Sequence, residues 1–151
     1  IAEGTANYGI DVAFPGDQRM KFERDVVFPL AGLDPKLAPD YRRVQTLFAR
    51  LSYAGNEAAR QYLEGKIDAA QAAAWLEKYG LYSPDRAKQR VRFIDQYRSY
   101  VINYNYGKDL AGAYIESRGG TVANPAKRWE EFKRLLSSPR LPGGLAVTTT
   151  R

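Results

Sequence analysis

Apolar residues recur at intervals of three and four along most of this chain, which is the spacing of one face of an α-helix. Proline and glycine interrupt the pattern at several points and divide it into separate segments. Alternation of apolar and polar residues, the mark of a half-buried strand, is weak throughout the chain. The sequence therefore predicts an all-α fold, a bundle of about six helices.

The helical pattern extends over residues 1–136, which we predict to form one helical domain. Residues 137–151 carry prolines, glycines and threonines, and we predict them to be a flexible tail. The length of 151 residues suits one domain with its own core. No apolar run approaches the roughly 20 residues of a membrane-spanning helix.

Capping residues and helix breakers set the expected boundaries of the helices. The predicted helices cover residues 2–14, 17–30, 40–65, 69–79, 83–117 and 124–136. We expect Gly107 to interrupt the fifth of them. Their expected N-caps after the first helix are Asp17, Asp40, Asp68, Ser83 and Asn124. Gly80 follows the fourth helix, where a left-handed residue is expected.

Apolar positions at helical spacing are the expected core residues. In the second and third helices they are Met20, Val27, Leu30, Val44, Leu47, Phe48, Leu51, Ala58 and Tyr62. Four aromatic residues should form one stripe along the fifth helix, namely Phe93, Tyr97, Tyr100 and Tyr104. Trp75 and Trp129 are expected core anchors.

Cysteine and histidine are both absent from the chain. The lack of cysteine excludes disulfides and thiol catalysis, and it fits a cytosolic and an exported protein equally well. The lack of histidine excludes a Ser-His-Asp triad, a histidine base and any histidine-ligated metal site complete within this chain.

The first segment that could carry chemistry is Glu3-Gly4-Thr5-Ala6-Asn7-Tyr8. Glycine beside a glutamate lowers helix propensity by about 1 kcal/mol relative to alanine. That cost is understandable if another backbone or a metal site must approach closely. The alternative is a solvated glutamate at a frayed helix end.

The second such segment covers residues 99–108 and holds three tyrosines and two asparagines before a glycine. Tyrosine hydroxyls can donate to a developing oxyanion. Gly107 could admit a ligand or a neighbouring helix at close range. The alternative is an aromatic core stripe whose hydroxyls reach water.

Together, in this order and about a hundred residues apart, the two segments resemble the C-terminal half of a bacterial family. This is a mostly uncharacterised family of gluzincin-type zinc metallopeptidases, almost wholly helical. Its Glu-Gly-x-Ala-x-Tyr pattern is matched here by Glu3, Gly4, Ala6 and Tyr8. Its later tyrosine, two to three residues before a glycine, is best matched by Tyr104, before Gly107. The similarity covers residues 2–116, and Thr5 stands where the family often has an aromatic residue.

This resemblance implies a catalytic zinc with three protein ligands and a peptide substrate. Glu3 would be the third ligand, and Asn7, one turn away on the same face, could support it. The two histidine ligands and the base glutamate would lie upstream, outside this chain. We accordingly expect the sequence, which starts at Ile1 without a helix cap, to be the C-terminal helical subdomain of a larger protein and inactive alone.

The same resemblance implies that a tyrosine across the cleft stabilises the reaction's oxyanion. Tyr104 is the best candidate, with Tyr100 and Tyr106 as alternatives. The hypothesis requires the Glu3 carboxylate and the Tyr104 hydroxyl to face one cavity, within roughly 10 Å. Arg98 could bind a substrate carboxylate bidentately.

Surface charge suggests less specific roles. We expect Arg98 to pair instead with Asp95 or Glu116 on the surface. We also expect the basic run at Arg86, Lys88, Arg90 and Arg92 to be a solvated face.

Two other functional hypotheses remain open. With a formal net charge of +6, the chain could be a basic helical binding module for nucleic acid or an acidic partner. No nucleic-acid-binding motif is present, which makes nucleic acid the weaker choice. The chain could also belong to a catalytically dead relative that keeps the fold for interaction.

Overall fold

A computed structural model describes residues 1–145, and all regular structure in that range is helical. The α-helices are α1 (Ala2–Ala13), α2 (Gln18–Phe22), α3 (Phe28–Leu30), α4 (Ala38–Leu63), α5 (Ala69–Gly80), α6 (Pro84–Tyr97), α7 (Tyr106–Ser117) and α8 (Pro125–Leu136). A π-helical turn occupies Glu23–Val27, and 3₁₀ turns occupy Pro35–Leu37, Arg98–Asn103 and Pro142–Leu145. Six of the α-helices are long, which confirms the predicted all-α bundle.

The chain divides into two compact units. The first unit combines Ile1–Tyr41 with the segment that starts at Asn103, and the second is the continuous stretch Arg42–Ile102. Helix α4 begins in the first unit and continues into the second. Within residues 1–145, no helix has both the length and the apolar content that a bilayer crossing requires.

The core of the first unit is formed by α1, α7 and α8 together with the 3₁₀ turn at Pro142–Leu145. Its buried members are Tyr8, Val12, Ala111, Tyr114, Ile115, Phe132, Leu135 and Leu145. Helices α1 and α7 run parallel, because their contacts advance in the same direction, from Gly4 against Gly107 to Tyr8 against Gly112. Complete burial of a side chain such as Ile115 contributes roughly 1.5–3 kcal/mol to stability.

The π-helical turn changes which residues of the second predicted helix are buried. Phe28 and Glu23 are buried, whereas Val27 and Leu30 are exposed and Met20 is only half-buried. The expected burial of Val27 and Leu30 was therefore wrong. A π turn holds more residues than an α turn, so it rotates the following residues around the helix axis.

The core of the second unit lies between the later part of α4 and helices α5 and α6. It contains Ala58, Ala59, Ala72, Ala73, Leu76, Ala87, Val91, Ile94 and Val101. Trp75 packs against this core, as expected, and its indole N–H donates to the Ala54 carbonyl at 3.1 Å. The expected burial of Val44, Leu47 and Phe48 was wrong, because all three are exposed in the first half of α4.

Two of the expected helix caps are confirmed. Asp68 accepts from the Gln71 backbone N–H at 2.8 Å, and Gln71 returns a bond from its side chain, which completes a capping box. Asn124 caps α8 by accepting from the Lys127 backbone N–H at 3.3 Å. The left-handed residue after α5 is Leu81, with φ 57°, and not Gly80, which is the last residue of the helix.

Three other caps differ from the expectation. Asp17 and Ser83 stand at N-cap positions, but neither side chain accepts a capping hydrogen bond. Asp40 lies inside α4, which begins two residues earlier at Ala38. Pro39 explains the early start, because proline fits the first helical turn and needs no N–H partner there.

The predicted helix over residues 83–117 is interrupted at Arg98 and not, as expected, at Gly107, which lies inside α7. Arg98 has φ 54° and ψ −131°, a conformation that ends α6 and that residues with a side chain rarely adopt. The four aromatic residues of the predicted stripe therefore do not share one helix. Phe93, Tyr97 and Tyr100 do form a ring series, with centroids 4.5 and 6.3 Å apart, but Tyr104 belongs to the first unit.

Part of the expected tail packs against the core of the first unit. Within the expected tail at residues 137–151, Leu145 is buried in the core of the first unit. Residues 146–151 of that tail lie outside the described part of the chain. Trp129, expected as a core anchor, is 50% exposed and contacts the Phe132 ring edge-on.

Candidate functional site: the Gly4–Gly107 helix crossing

The two segments singled out in the sequence meet where α1 crosses α7. A Cβ atom added to Gly4 would lie 2.3 Å from the carbonyl carbon of Gly107 and 2.8 Å from the backbone nitrogen of Lys108. No real side chain fits at that distance, so Gly4 lets the two backbones touch. The unfavourable glycine in the first turn of α1 is thus explained by close approach of another backbone.

A hydrogen bond joins the same two segments beside this crossing. The Asn7 side-chain amide donates to the Tyr104 backbone carbonyl at 3.1 Å, and both residues are half-buried. The expectation was that the Asn7 side chain supports Glu3. Its amide instead donates to the backbone of Tyr104, the candidate catalytic tyrosine. The Asn105 side chain accepts from the Tyr106 backbone N–H at 2.8 Å and so caps the start of α7.

Glu3 lies in the first turn of α1, next to Gly4, and is half-buried. The unpaired N–H groups of a helix N-terminus point towards this part of the chain. Among the described residues, no group of three or more acidic, cysteine or histidine side chains is close enough to hold a metal ion. The described residues therefore offer Glu3 as a single ligand and not a complete site.

The three candidate tyrosines fall in different places. Tyr104 is half-buried immediately before α7, in the segment that Asn7 binds. Tyr106 is the first residue of α7 and is exposed. Tyr100 lies in the 3₁₀ turn Arg98–Asn103 of the second unit and is also exposed. The structure brings only Tyr104 and Tyr106 into the unit that contains Glu3.

Arg98, the candidate for binding a substrate carboxylate, is an exposed residue of the second unit. The expected ion pair with Asp95 or Glu116 does not occur among the described residues. One oxygen of Asp95 instead accepts from the Tyr62 hydroxyl at 2.8 Å. That hydrogen bond raises the pKa of Tyr62 above its ordinary value.

A buried network next to the crossing was missed by the sequence analysis. The Arg128 guanidinium on α8 donates from Nε and Nη2 to the Tyr8 hydroxyl at 3.1 and 3.0 Å, and from Nη1 to the Asp11 carbonyl at 2.9 Å. Burial raises the pKa of Tyr8, although Arg128 opposes the shift. Tyr8, the last residue that matches the Glu-Gly-x-Ala-x-Tyr pattern, thus links α1 to α8 through Arg128.

Two more contacts hold the helices of this unit. Lys108 Nζ on α7 lies 2.7 Å from Asp11 Oδ2 on α1. The Tyr8 ring covers Gly112, where an added Cβ would lie 2.9 Å from a ring carbon. Gly112, five residues after Gly107, is the sequence signal for this second close approach.

A second buried charge lies on α8. Glu131 is 1% exposed, and its carboxylate contacts Arg118 Nε at 2.6 Å, Lys127 Nζ at 3.0 Å and Arg134 Nη1 at 3.3 Å. The Arg118 hydrogen bond, followed by that of Lys127, lowers the pKa of Glu131 to about 2. Because Arg118 directly follows α7, this cluster fixes the connection between α7 and α8.

No family model, curated protein or solved structure matches this chain.

Proposed function

We propose that the Gly4–Gly107 crossing forms one wall of the active cleft of a larger zinc-dependent peptidase-like protein. The observation that carries the proposal is the Asn7–Tyr104 hydrogen bond, because it joins two segments that lie 97 residues apart in the sequence. Each segment matches one part of the metallopeptidase pattern. Their contact supports the proposal, because the pattern needs both segments to lie beside one active cleft.

In this proposal the side chains of the chain have separate roles. Glu3 is the third zinc ligand. The Tyr104 hydroxyl donates to the oxygen that becomes negative as the peptide carbonyl is attacked. Asn7 fixes the backbone of Tyr104, so the hydroxyl needs little reorganisation during the reaction.

The remaining assignments follow the same scheme. Tyr106 and Tyr100 are the alternative oxyanion donors, and Arg98 is the candidate for holding a substrate carboxylate. The zinc would polarise the peptide carbonyl and acidify the attacking water. Its two histidine ligands and the base glutamate would come from residues before Ile1.

The test is made on the protein extended upstream of Ile1 as its gene encodes it. We expect one zinc ion per chain and hydrolysis of peptides, and we expect Glu3→Gln to lose most of the bound zinc. Tyr104→Phe should retain zinc while kcat falls by about 10²–10³-fold, the usual effect of removing one oxyanion donor. Tyr79→Phe, at an exposed position of α5, is the matched control and should keep kcat.

Other outcomes distinguish the competing functions. Stoichiometric zinc without hydrolysis of any peptide would identify a catalytically dead relative. Full zinc retention in Glu3→Gln would remove Glu3 from the ligand set and overturn the proposal. Equal losses of kcat in Tyr104→Phe and Tyr79→Phe would mean that the Tyr104 hydroxyl has no specific role.

A further inference from the structure

The first half of α4 presents an apolar face that the rest of the second unit leaves exposed. Val44, Leu47 and Phe48 are 46%, 52% and 44% exposed, and Leu51, one turn further, is half-buried. Positions separated by three, four and seven residues lie on one side of a helix, so these side chains form a continuous stripe. An exposed stripe of this kind marks an interaction site more often than a scattered apolar residue does.

One edge of this stripe is basic. Arg43 lies four residues before Leu47 and Arg50 three residues after it, so both flank the stripe on the same side. Both arginines are exposed, and neither forms an ion pair with any described residue. Further along the same helix, Arg60 contacts Glu57 at 2.6 Å and Glu64 at 2.7 Å.

We infer that this face of α4 docks an acidic amphipathic helix of a partner protein. Leucine-like side chains of the partner would cover Val44, Leu47, Phe48 and Leu51, as an amphipathic helix covers an apolar groove. Carboxylates seven residues apart along the partner would meet Arg43 and Arg50. The arginines would then set the orientation of the partner and the rate at which it associates. The inference concerns a surface that the proposed function does not use.

The charge pattern favours a protein helix over a lipid surface. A helix lying on an anionic membrane presents basic residues along its polar face, where both edges meet the headgroups. Here the edge opposite the arginines carries Gln45 and Ser52, which are uncharged. A partner helix with carboxylates along one edge satisfies this one-sided arrangement.

A second copy of this chain does not fit the pattern either. Two α4 helices packed face to face would bring the Arg43–Arg50 edge against the same edge or against the Gln45–Ser52 edge. Within residues 43–52 neither edge offers a carboxylate, and the first arrangement places like charges together. Asp40 and Glu57 lie beyond the two ends of the stripe, and Glu57 already contacts Arg60 at 2.6 Å. The occupant must therefore supply the acidic residues itself.

The test uses two synthetic helical peptides of about 20 residues, long enough to form a helix. Both carry leucines on one face, and one has glutamates and the other lysines at the flanking positions. Binding to this chain is measured by fluorescence anisotropy at low and high salt. We expect the glutamate peptide to bind, and its binding to weaken with salt.

Charge exchange provides the decisive variants. Arg43→Glu with Arg50→Glu should weaken binding of the glutamate peptide by about tenfold and create binding of the lysine peptide. The matched control, Arg86→Glu with Arg92→Glu, changes the net charge equally at two exposed positions of α6. It should leave binding of the glutamate peptide within about twofold of the parent. Circular dichroism establishes that both double variants remain helical.

Several results would overturn the inference. If both double variants weakened peptide binding equally, net charge alone would explain the effect. Tight binding to phosphatidylserine vesicles without peptide binding would assign the face to lipid. Dimerisation abolished by Leu47→Glu would assign it to a second copy. If the chain extended upstream of Ile1 failed to bind the glutamate peptide, the face would be covered within the same polypeptide. None of these results bears on zinc or hydrolysis, so this inference and the proposed function can fail separately.

Discussion

The Gly4 α-carbon lies so close to the Gly107 backbone that a methyl group added to it would be 2.3 Å from the carbonyl carbon. The overlap is with backbone and not with the tip of a flexible side chain, so neither partner can rotate away. The packing of α1 against α7 therefore depends on the absence of one carbon atom. This relationship gives the first prediction.

Gly4→Ala should destabilise the protein by about 1–3 kcal/mol, the usual range for overpacking in a core. Alanine would by itself favour the helix by about 1 kcal/mol, so the clash must exceed that gain. Gly55→Ala in α4 is the matched control, because its added Cβ would meet only Leu76 Cδ2, at 4.0 Å. Urea unfolding should show a lower free energy of unfolding for Gly4→Ala and a slightly higher one for Gly55→Ala. A gain in both variants would disprove the close approach.

Tyr8→Phe should destabilise the protein because it removes the oxygen that accepts two hydrogen bonds from Arg128. The buried guanidinium would keep only its bond to the Asp11 carbonyl. We expect the free energy of unfolding to fall by about 1–3 kcal/mol, the cost of leaving a buried donor unsatisfied. Tyr79→Phe, at an exposed position of α5, serves as the control and should change stability by less than about 0.5 kcal/mol.

Tyr8 also predicts how stability changes in alkaline solution. Burial raises its pKa above the ordinary value of 10.0, so the folded state holds the phenol proton more tightly than the unfolded state does. The corresponding stability is complete below pH 10 and is lost as the pH rises from there through the folded pKa. Urea midpoints measured over this range should fall less steeply in Tyr8→Phe than in the parent. Parallel curves would mean that Tyr8 ionises as it does in the unfolded chain.

Glu131 predicts the opposite dependence in acid. Its pKa is lowered from 4.5 to about 2, so its stabilising contribution is present above pH 4.5 and lost as the pH falls towards 2. Glu131→Gln should reduce stability at neutral pH and flatten the acid limb of the urea midpoint curve. Glu57, whose pKa is also about 2, is the control: its side chain is 40% exposed, against 1% for Glu131. Solvent screening should make the effect of Glu57→Gln much smaller.

Most of the secondary structure was predictable, because the spacing of apolar residues and the caps at Asp68 and Asn124 are local signals. The interruption at Arg98 was not predictable, since nothing in residues 93–104 departs from helical spacing. The π-helical turn at Glu23–Val27 was missed for the same reason, and it changed which residues are buried. Local patterns show that a helix can form, but tertiary packing decides where it stops.

The meeting of the two candidate segments was partly predictable. Gly4 and Gly107 were each identified as places where another group could come close, and the structure shows that they approach each other. The partner of Tyr8 was not identifiable, because Arg128 lies 120 residues away and resembles any other arginine of an amphipathic helix. Long-range polar pairs leave no periodic signal in one sequence.

The division of the first unit into two stretches of chain has a consequence for the order of folding. Its halves, Ile1–Tyr41 and the segment from Asn103, are separated by the whole of Arg42–Ile102. Bringing α1 against α7 requires closure of that long loop, whose entropy must be lost before any contact forms. The intervening unit uses contacts between neighbouring helices and can form early. Once formed, it shortens the effective loop, so the crossing at Gly4 and Gly107 should be among the last contacts made during folding.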